Sequence, residues 1–259
     1  MVRLKVCILS HLQSKTYRYV SMDPLFQRTA IILGEAGILR LRRAHILVAG
    51  LGGVGSYAVE ALARAGIGRL TLIDHDIVAG SNLNRQLPAL CSTVGRLKTD
   101  VMAERVADIN PHCDVQLIKR FIRSDDVDEL LVGSYDFVID AIDSLNCKVS
   151  LLMAAHERRI PVISSMGAGG KLDPSRIVVG DVMDTDNCPL ARVIRKRLRR
   201  RGAGRGIGAV WSNEPSCAPL PPEPTESGRD RAVNGTISYL PALFGLTLAG
   251  TVIQRLVKS

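Results

Sequence analysis

One stretch limits what this chain can fold into more than any other. From His45 to Gln86 it reads HILVAGLGGVGSYAVEALARAGIGRLTLIDHDIVAGSNLNRQ. An apolar strand, His45 to Ala49, leads into Gly50, Gly52, Gly53 and Gly55. A helix follows, then a second strand, Leu70 to Ile73, ending on Asp74. Glycines let a backbone turn tightly and approach a phosphate, whose charge is favoured at a helix N-terminus. Asp74 stands where an acid hydrogen-bonds a ribose hydroxyl.

The glycine pattern alone fits a dinucleotide and hydride transfer. The next residues argue for a triphosphate. Asn82, Asn84, Arg85 and Gln86 form a polar, cationic cluster, and Lys98 follows in GRLKTD. Hydride transfer has no evident use for these cations, whereas a transferring phosphoryl or nucleotidyl group is stabilised by them. A lone arginine or lysine is usually a solvated surface charge. The pair beside a glycine turn and a ribose acid reads as part of a nucleotide site, with ATP preferred over NAD.

Strand and helix patterns alternate onward. A helix is predicted from Gly95 to Asn110, a strand from Asp114 to Ile118 and a buried strand from Tyr135 to Ile139. A further helix begins near Ser144 and leads to a strand over 161–165. Alternation of this kind implies an α/β fold: a Rossmann-like, mostly parallel sheet with helices on both faces. Asp140 and Asp143 then lie just beyond a strand's C-terminal end, where such sheets bind ligands. Asp140 reads equally well as a turn or capping acid.

The motifs GLGGVGS, D-H-D-I-V-x-x-S-N-L-N-R-Q and the later lysine resemble the adenylating domain of ubiquitin-activating-type (ThiF/MoeB-type) enzymes. That family includes activators of sulfur-carrier proteins. The resemblance covers about residues 26–180 at its core. It implies a nucleotide site made of Gly50, Gly52, Gly53, Gly55, Asp74, Asp76, Ser81, Asn82, Arg85, Gln86, Lys98, Asp143 and Ser144. Asn82, Arg85 and Lys98 would hold phosphates, and Asp143 would lie near magnesium. Arg28, in FQRTAIILGEAG, would cross a homodimer interface to the neighbour's ATP. Arg28, Arg85, Lys98 and Asp143 are thereby the implied catalytic residues.

The second part changes character. Residues 181–235 are basic and proline-rich, and the chain's formal net charge is +9. Pro189 to Arg201 reads as an amphipathic helix with Leu190, Val193, Ile194 and Leu198 on one face. Arg195, Lys196, Arg199 and Arg200 lie elsewhere on it, as candidates for nucleic-acid phosphate contacts. A clustered basic face is the footprint of nucleic-acid binding, although charge runs are also commonly just solvated. The segment Thr236 to Ile253 is long and apolar, but Pro241, Gly245 and Gly250 dilute it. It reads as a core or dimer-interface helix, with peripheral membrane association the lesser alternative.

With SSMGAGGKLDPSRI, the basic helix, WSNEPSCAP and SYLPALFGLTLAG included, the chain resembles the tRNA threonylcarbamoyladenosine dehydratase branch of that family. The resemblance implies ATP-dependent ring closure on a modified adenosine beside the tRNA anticodon. The alternative is adenylation of the C-terminal carboxylate of a small sulfur-carrier protein. Such activators often carry two C-x-x-C pairs for zinc, and this chain has none among its six cysteines. Cys188 and Cys217, in the polar second part, are the better candidates for reactive thiols. A cysteine that some relatives carry near the tail is absent where this chain reads RAVNGTIS. Scattered cysteines without a secretion signal fit a reducing cytoplasm. Residues 1–21 read as a disordered extension before a single domain spanning 22–259.

Overall fold

The computed structural model describes residues 23–218, 220–223, 231–233 and 235–258, so the expectation for residues 1–21 lies outside the described residues. Helix α1 (Pro24–Arg43) opens it. Asp23 caps α1 by accepting from the Leu25 N–H at 2.9 Å, and Pro24 stands where a missing N–H costs nothing. Then come β1 (His45–Ala49), α2 (Gly55–Ala65), β2 (Arg69–Ile73), α3 (Lys98–Ile109) and β3 (Asp114–Ile118). Next are α4 (Val127–Leu130), β4 (Phe137–Asp140), α5 (Leu145–Glu157), β5 (Val162–Ser165) and β6 (Ile177–Asp181). The chain continues through α6 (Pro189–Arg200), β7 (Gly208–Ser212), β8 (Leu220–Glu223), β9 (Arg231–Val233) and α7 (Leu240–Lys258).

Seven strands form one sheet in the order β3-β2-β1-β4-β5-β7-β6. All neighbours run parallel except β6, which pairs antiparallel with β7. A parallel sheet covered on both faces needs strands apolar on both sides. Strand β1 meets this: Leu47 and Ala49 enter one core, with α5 and α6, while Ile46 and Val48 enter the other, with α2 and α7. The chain leaves β1 for β2 and β3 on one side, then returns to β4 on the other. The crevice between β1 and β4 is therefore a topological switch point, where ligands of such sheets bind.

Several boundaries differ from the sequence expectation. Helix α3 starts at Lys98, not Gly95, because residues 95–97 form the turn that brings Lys98 beside Asp76. Helix α7 starts at Leu240 and runs to Lys258. It is long and apolar enough to cross a membrane, yet it buries Leu240, Phe244, Leu248 and Val252 in a core. The basic, proline-rich segment is more than loop and helix. It supplies β7, which enters the main sheet between β5 and β6. The same packing buries Cys188 to 5% exposure as the cap of α6, so that thiol is not presented to solvent. Cys217 is exposed. On α6, Ala191, Ile194 and Leu198 are the buried stripe, while Val193 lies outside it.

Candidate nucleotide site

A cleft opens at the C-terminal ends of the central strands and holds about 1170 Å³ of space, its mouth included. Its floor is the glycine turn between β1 and α2. Gly50 has φ +90°, a left-handed conformation open to glycine, and a Cβ there would stand 2.6 Å from the Ala141 carbonyl oxygen. Gly55 is needed for packing: its Cβ would fall 1.7 Å from the Gly50 carbonyl oxygen. Gly52 is different. A Cβ there would meet only the Gln86 side chain, at 3.7 Å, so nothing in the protein demands a glycine at that point. The bare backbone there leaves room for the close approach of a ligand.

Asp74 lies at the end of β2. Its Oδ2 accepts from the Leu51 N–H at 2.6 Å and its Oδ1 from the Asp76 N–H at 2.8 Å. The acid thus fixes the turn, and each carboxylate oxygen keeps a second lone pair for a hydroxyl. Lys98, the first residue of α3, is buried and pairs through Nζ with Asp76 Oδ2 at 2.7 Å. Arg85 stacks its stem against Gly53 and donates to the Ser81 carbonyl at 3.1 Å and to Asn84 Oδ1 at 2.9 Å. Gln86 is buried beside the turn, and its Oε1 has no partner among the described residues. An orphaned buried acceptor calls for a donor, which a bound molecule can bring.

Asp143 and Ser144 close another side. Ser144 is the N-cap residue of α5, and its hydroxyl donates to Cys147 Sγ at 3.4 Å. The Asp143 carboxylate is exposed and has no hydrogen bond or ion pair among the described residues. Asp140 is otherwise employed. It is fully buried, paired with Lys148 Nζ at 2.6 Å, and accepts from the Ser164 hydroxyl at 2.6 Å and the Ile142 N–H at 3.1 Å. The turn-acid role of Asp140 therefore holds, and through Ile142 it sets the loop carrying Asp143. Asp74, His75 and Asp76 also offer three ligand atoms within 4.8 Å of one another.

Of the residues expected at the nucleotide, Gly50, Gly52, Gly53, Asp74, Asp76, Arg85, Gln86, Lys98, Asp143 and Ser144 line the cleft. Gly55, Ser81 and Asn82 do not. The Asn82 side chain is spent on its own turn, accepting from the Ala79 N–H at 3.1 Å. Arg28 is exposed on α1 and lies outside this cleft. Sequence reasoning missed Arg120, Phe121, Ile122 and Cys147, Met166 to Gly169, and Leu190, Thr236 and Pro241 in the lining. The thiol of Cys147 donates to the Ile122 carbonyl at 2.8 Å. The signal for Cys147 was its position on the first turn of a helix behind a switch-point strand.

Leu190 places the start of α6 at the cleft. Along that helix Arg192, Lys196, Arg199 and Arg200 are exposed. Arg195 differs: its guanidinium turns back to the carbonyl and hydroxyl of Thr185. Arg197 donates to Asn146 Oδ1 on α5.

The model of the ThiF family matches residues 26–259, and the chain belongs to that family. It is 39% identical over 240 residues to a tRNA threonylcarbamoyladenosine dehydratase of Bacillus subtilis, covering 90% of this chain and 94% of that one. The structure superposes on that of Escherichia coli tRNA N6-threonylcarbamoyladenosine dehydratase, TcdA, in complex with ATP, with a TM-score of 0.83 and 38% identity. That match covers 90% of this chain and 93% of the other. A molybdopterin-synthase adenylyltransferase of Salmonella typhimurium is 36% identical over only 124 residues, 48% of this chain and 49% of that one.

Proposed function

We propose that the protein is an ATP-dependent tRNA threonylcarbamoyladenosine dehydratase, a cytoplasmic homodimer that closes a ring on the modified base. The observation that carries this reading is one cleft that joins a triphosphate cradle to the end of a basic helix. Arg85 and Lys98 supply the positive charge, Asp74 the ribose contact, and Gly52 the open backbone approach. Gln86 Oε1 supplies a free acceptor. The Asp143 carboxylate suits a hydrated magnesium ion, which needs only one or two protein carboxylates beside phosphate oxygens. When bound, the ion would neutralise phosphate charge.

A carboxylate is a poor electrophile. Its attack on the α-phosphorus of ATP releases pyrophosphate and leaves an acyl-adenylate with a good leaving group. Arg85 and Lys98 stabilise the charge that develops on the phosphates. The neighbouring carbamoyl group then attacks the acyl carbon, AMP departs, and the substrate has lost one water overall. An internal nucleophile has a high effective molarity, so no enzyme thiol is required. Arg192, Lys196, Arg199 and Arg200 would hold tRNA phosphates, Arg195 being engaged with Thr185. The sulfur-carrier reading shares the cradle but has less use for the basic helix, and the molybdopterin-synthase adenylyltransferase matches about half of the chain.

The test is direct. The protein is incubated with ATP, magnesium and tRNA bearing threonylcarbamoyladenosine, and the digested nucleosides are weighed. A product lighter by one water is expected. Unchanged mass, with ATP bound, would overturn the assignment, and pyrophosphate exchange dependent on a carrier protein would then be sought.

A further inference from the structure

Three successive residues of the cleft lining have backbone N–H groups with no acceptor among the described residues. They are Gly167, Ala168 and Gly169, just beyond β5. The chain on either side is fastened. The Met166 N–H donates to the Val210 carbonyl at 2.8 Å and the Gly170 N–H to the Gly235 carbonyl at 2.8 Å. The Gly170 carbonyl accepts from the Cys217 N–H at 2.7 Å. Buried Lys171 donates through Nζ to the carbonyls of Asn187 at 3.1 Å, Ser212 at 2.8 Å and Glu214. The Tyr239 hydroxyl donates to the Leu172 carbonyl at 2.7 Å. Between these anchors, the N–H groups of residues 167–169 have no acceptor among the described residues.

Crowding does not explain the glycine at 167, where a Cβ would stand 3.5 Å from Cys188 Sγ, an ordinary contact. What glycine does there is leave the backbone uncovered. Backbone donors held by their surroundings, with no side chain among them larger than the Ala168 methyl, stabilise a developing oxyanion at no cost in reorganisation when they face it.

We propose that the backbone N–H groups of Gly167, Ala168 and Gly169 bind the threonyl carboxyl group of the substrate and hold the oxyanion formed during ring closure. This rests on the dehydratase reading. In the first step one carboxylate oxygen bonds to the α-phosphorus, the α–β bridge of ATP breaks, and the electron pair leaves with pyrophosphate. The second carboxylate oxygen stays on the N–H row. In the second step the carbamoyl group attacks the acyl carbon and passes its proton to water. The carbonyl electron pair moves onto that second oxygen, then returns as the bond to AMP breaks.

Replacing Ala168 by its α-hydroxy acid turns one amide into an ester. The N–H is lost while the methyl group and chain geometry are kept. The expected result is a fall in kcat of about a hundred- to thousandfold, with the KM for ATP unchanged. A kcat within about twofold of the parent, with ATP bound normally, overturns the proposal. Failure of the parent protein itself to bind ATP would instead remove the reading beneath it. Amide NMR gives an answer that does not depend on the variant folding. Adding a stable threonyl-sulfamoyl adenosine should move the proton shifts of residues 167–169 downfield, and ATP alone should not. Identical spectra with both ligands would also overturn the proposal.

Discussion

Lys98 does two things at once, and they pull on the same atom. Its ammonium is buried against Asp76 Oδ2 at 2.7 Å, yet it borders the cleft where the phosphates would lie. A buried ammonium must be paired, and Asp76 meets that need. Arg85 is held by main-chain and side-chain oxygens and pairs with no carboxylate among the described residues, so its charge would be free for a ligand. Replacing Lys98 or Arg85 by Ala should each lower turnover by about a hundred- to thousandfold. Asp143→Ala should lower it too and weaken the response to magnesium. Steady-state turnover against ATP and magnesium checks all three, and parental activity in every variant would mean that the site is misplaced. At this scale the sequence was legible where a motif fixes spacing, as for Asp74 and Lys98. It was ambiguous for Asp140, because a strand-end acid looks the same whether it meets solvent or a buried lysine. Only the fold brings Lys148 and Ser164 to it.

At the scale of elements, the β1-α2-β2 unit could be read directly, since its strands are continuous apolar runs broken by glycine. The region after β5 could not. Strand β7 is five residues, GAVWS, behind a glycine- and arginine-rich turn, and β6 carries its own glycine. Neither has a pattern long enough to separate a strand from a loop, and their pairing depends on partners distant in sequence. Helix α6 was easier, because arginines leave an apolar stripe plain. Its charges sort only in three dimensions: Arg195 turns to Thr185, and Arg192, Lys196, Arg199 and Arg200 stay exposed. Changing those four to Gln keeps helix propensity and removes four charges. Affinity for tRNA should drop and its dependence on salt should flatten, because fewer counterions are released. ATP affinity should hold. Filter binding over a salt series reads both, and an unaltered slope would reduce the helix to a solvated face.

The molecule as a whole leaves α1 partly uncovered. Ile31, Ile32 and Leu39 are exposed to 67%, 83% and 52%, on the same helix as Arg28. Helix α1 bends at Gly34, whose φ of 69° breaks the helical path. Arg28 does not line its own cleft, which is compatible with the expected reach into a neighbouring subunit. Arg28→Ala mixed with Lys98→Ala should then recover part of the activity that each lacks alone. In a hybrid dimer one site has both its own Lys98 and a donated Arg28. A mixture as inactive as its components, or a fully active monomer, would rule out sharing. The closing helix carries a different consequence. Pro241 borders the glycine turn, and a Cβ at Gly245 would lie 2.2 Å from the Val54 carbonyl oxygen, so α7 is seated directly on the start of α2. Thr236 and Pro241 also help to wall the cleft. During synthesis, β1, α2 and β2 leave the ribosome long before that wall does. Once residues through Lys98 have emerged, the growing polypeptide carries the glycine turn, Arg85 and Lys98 while still lacking the wall that Thr236 and Pro241 complete.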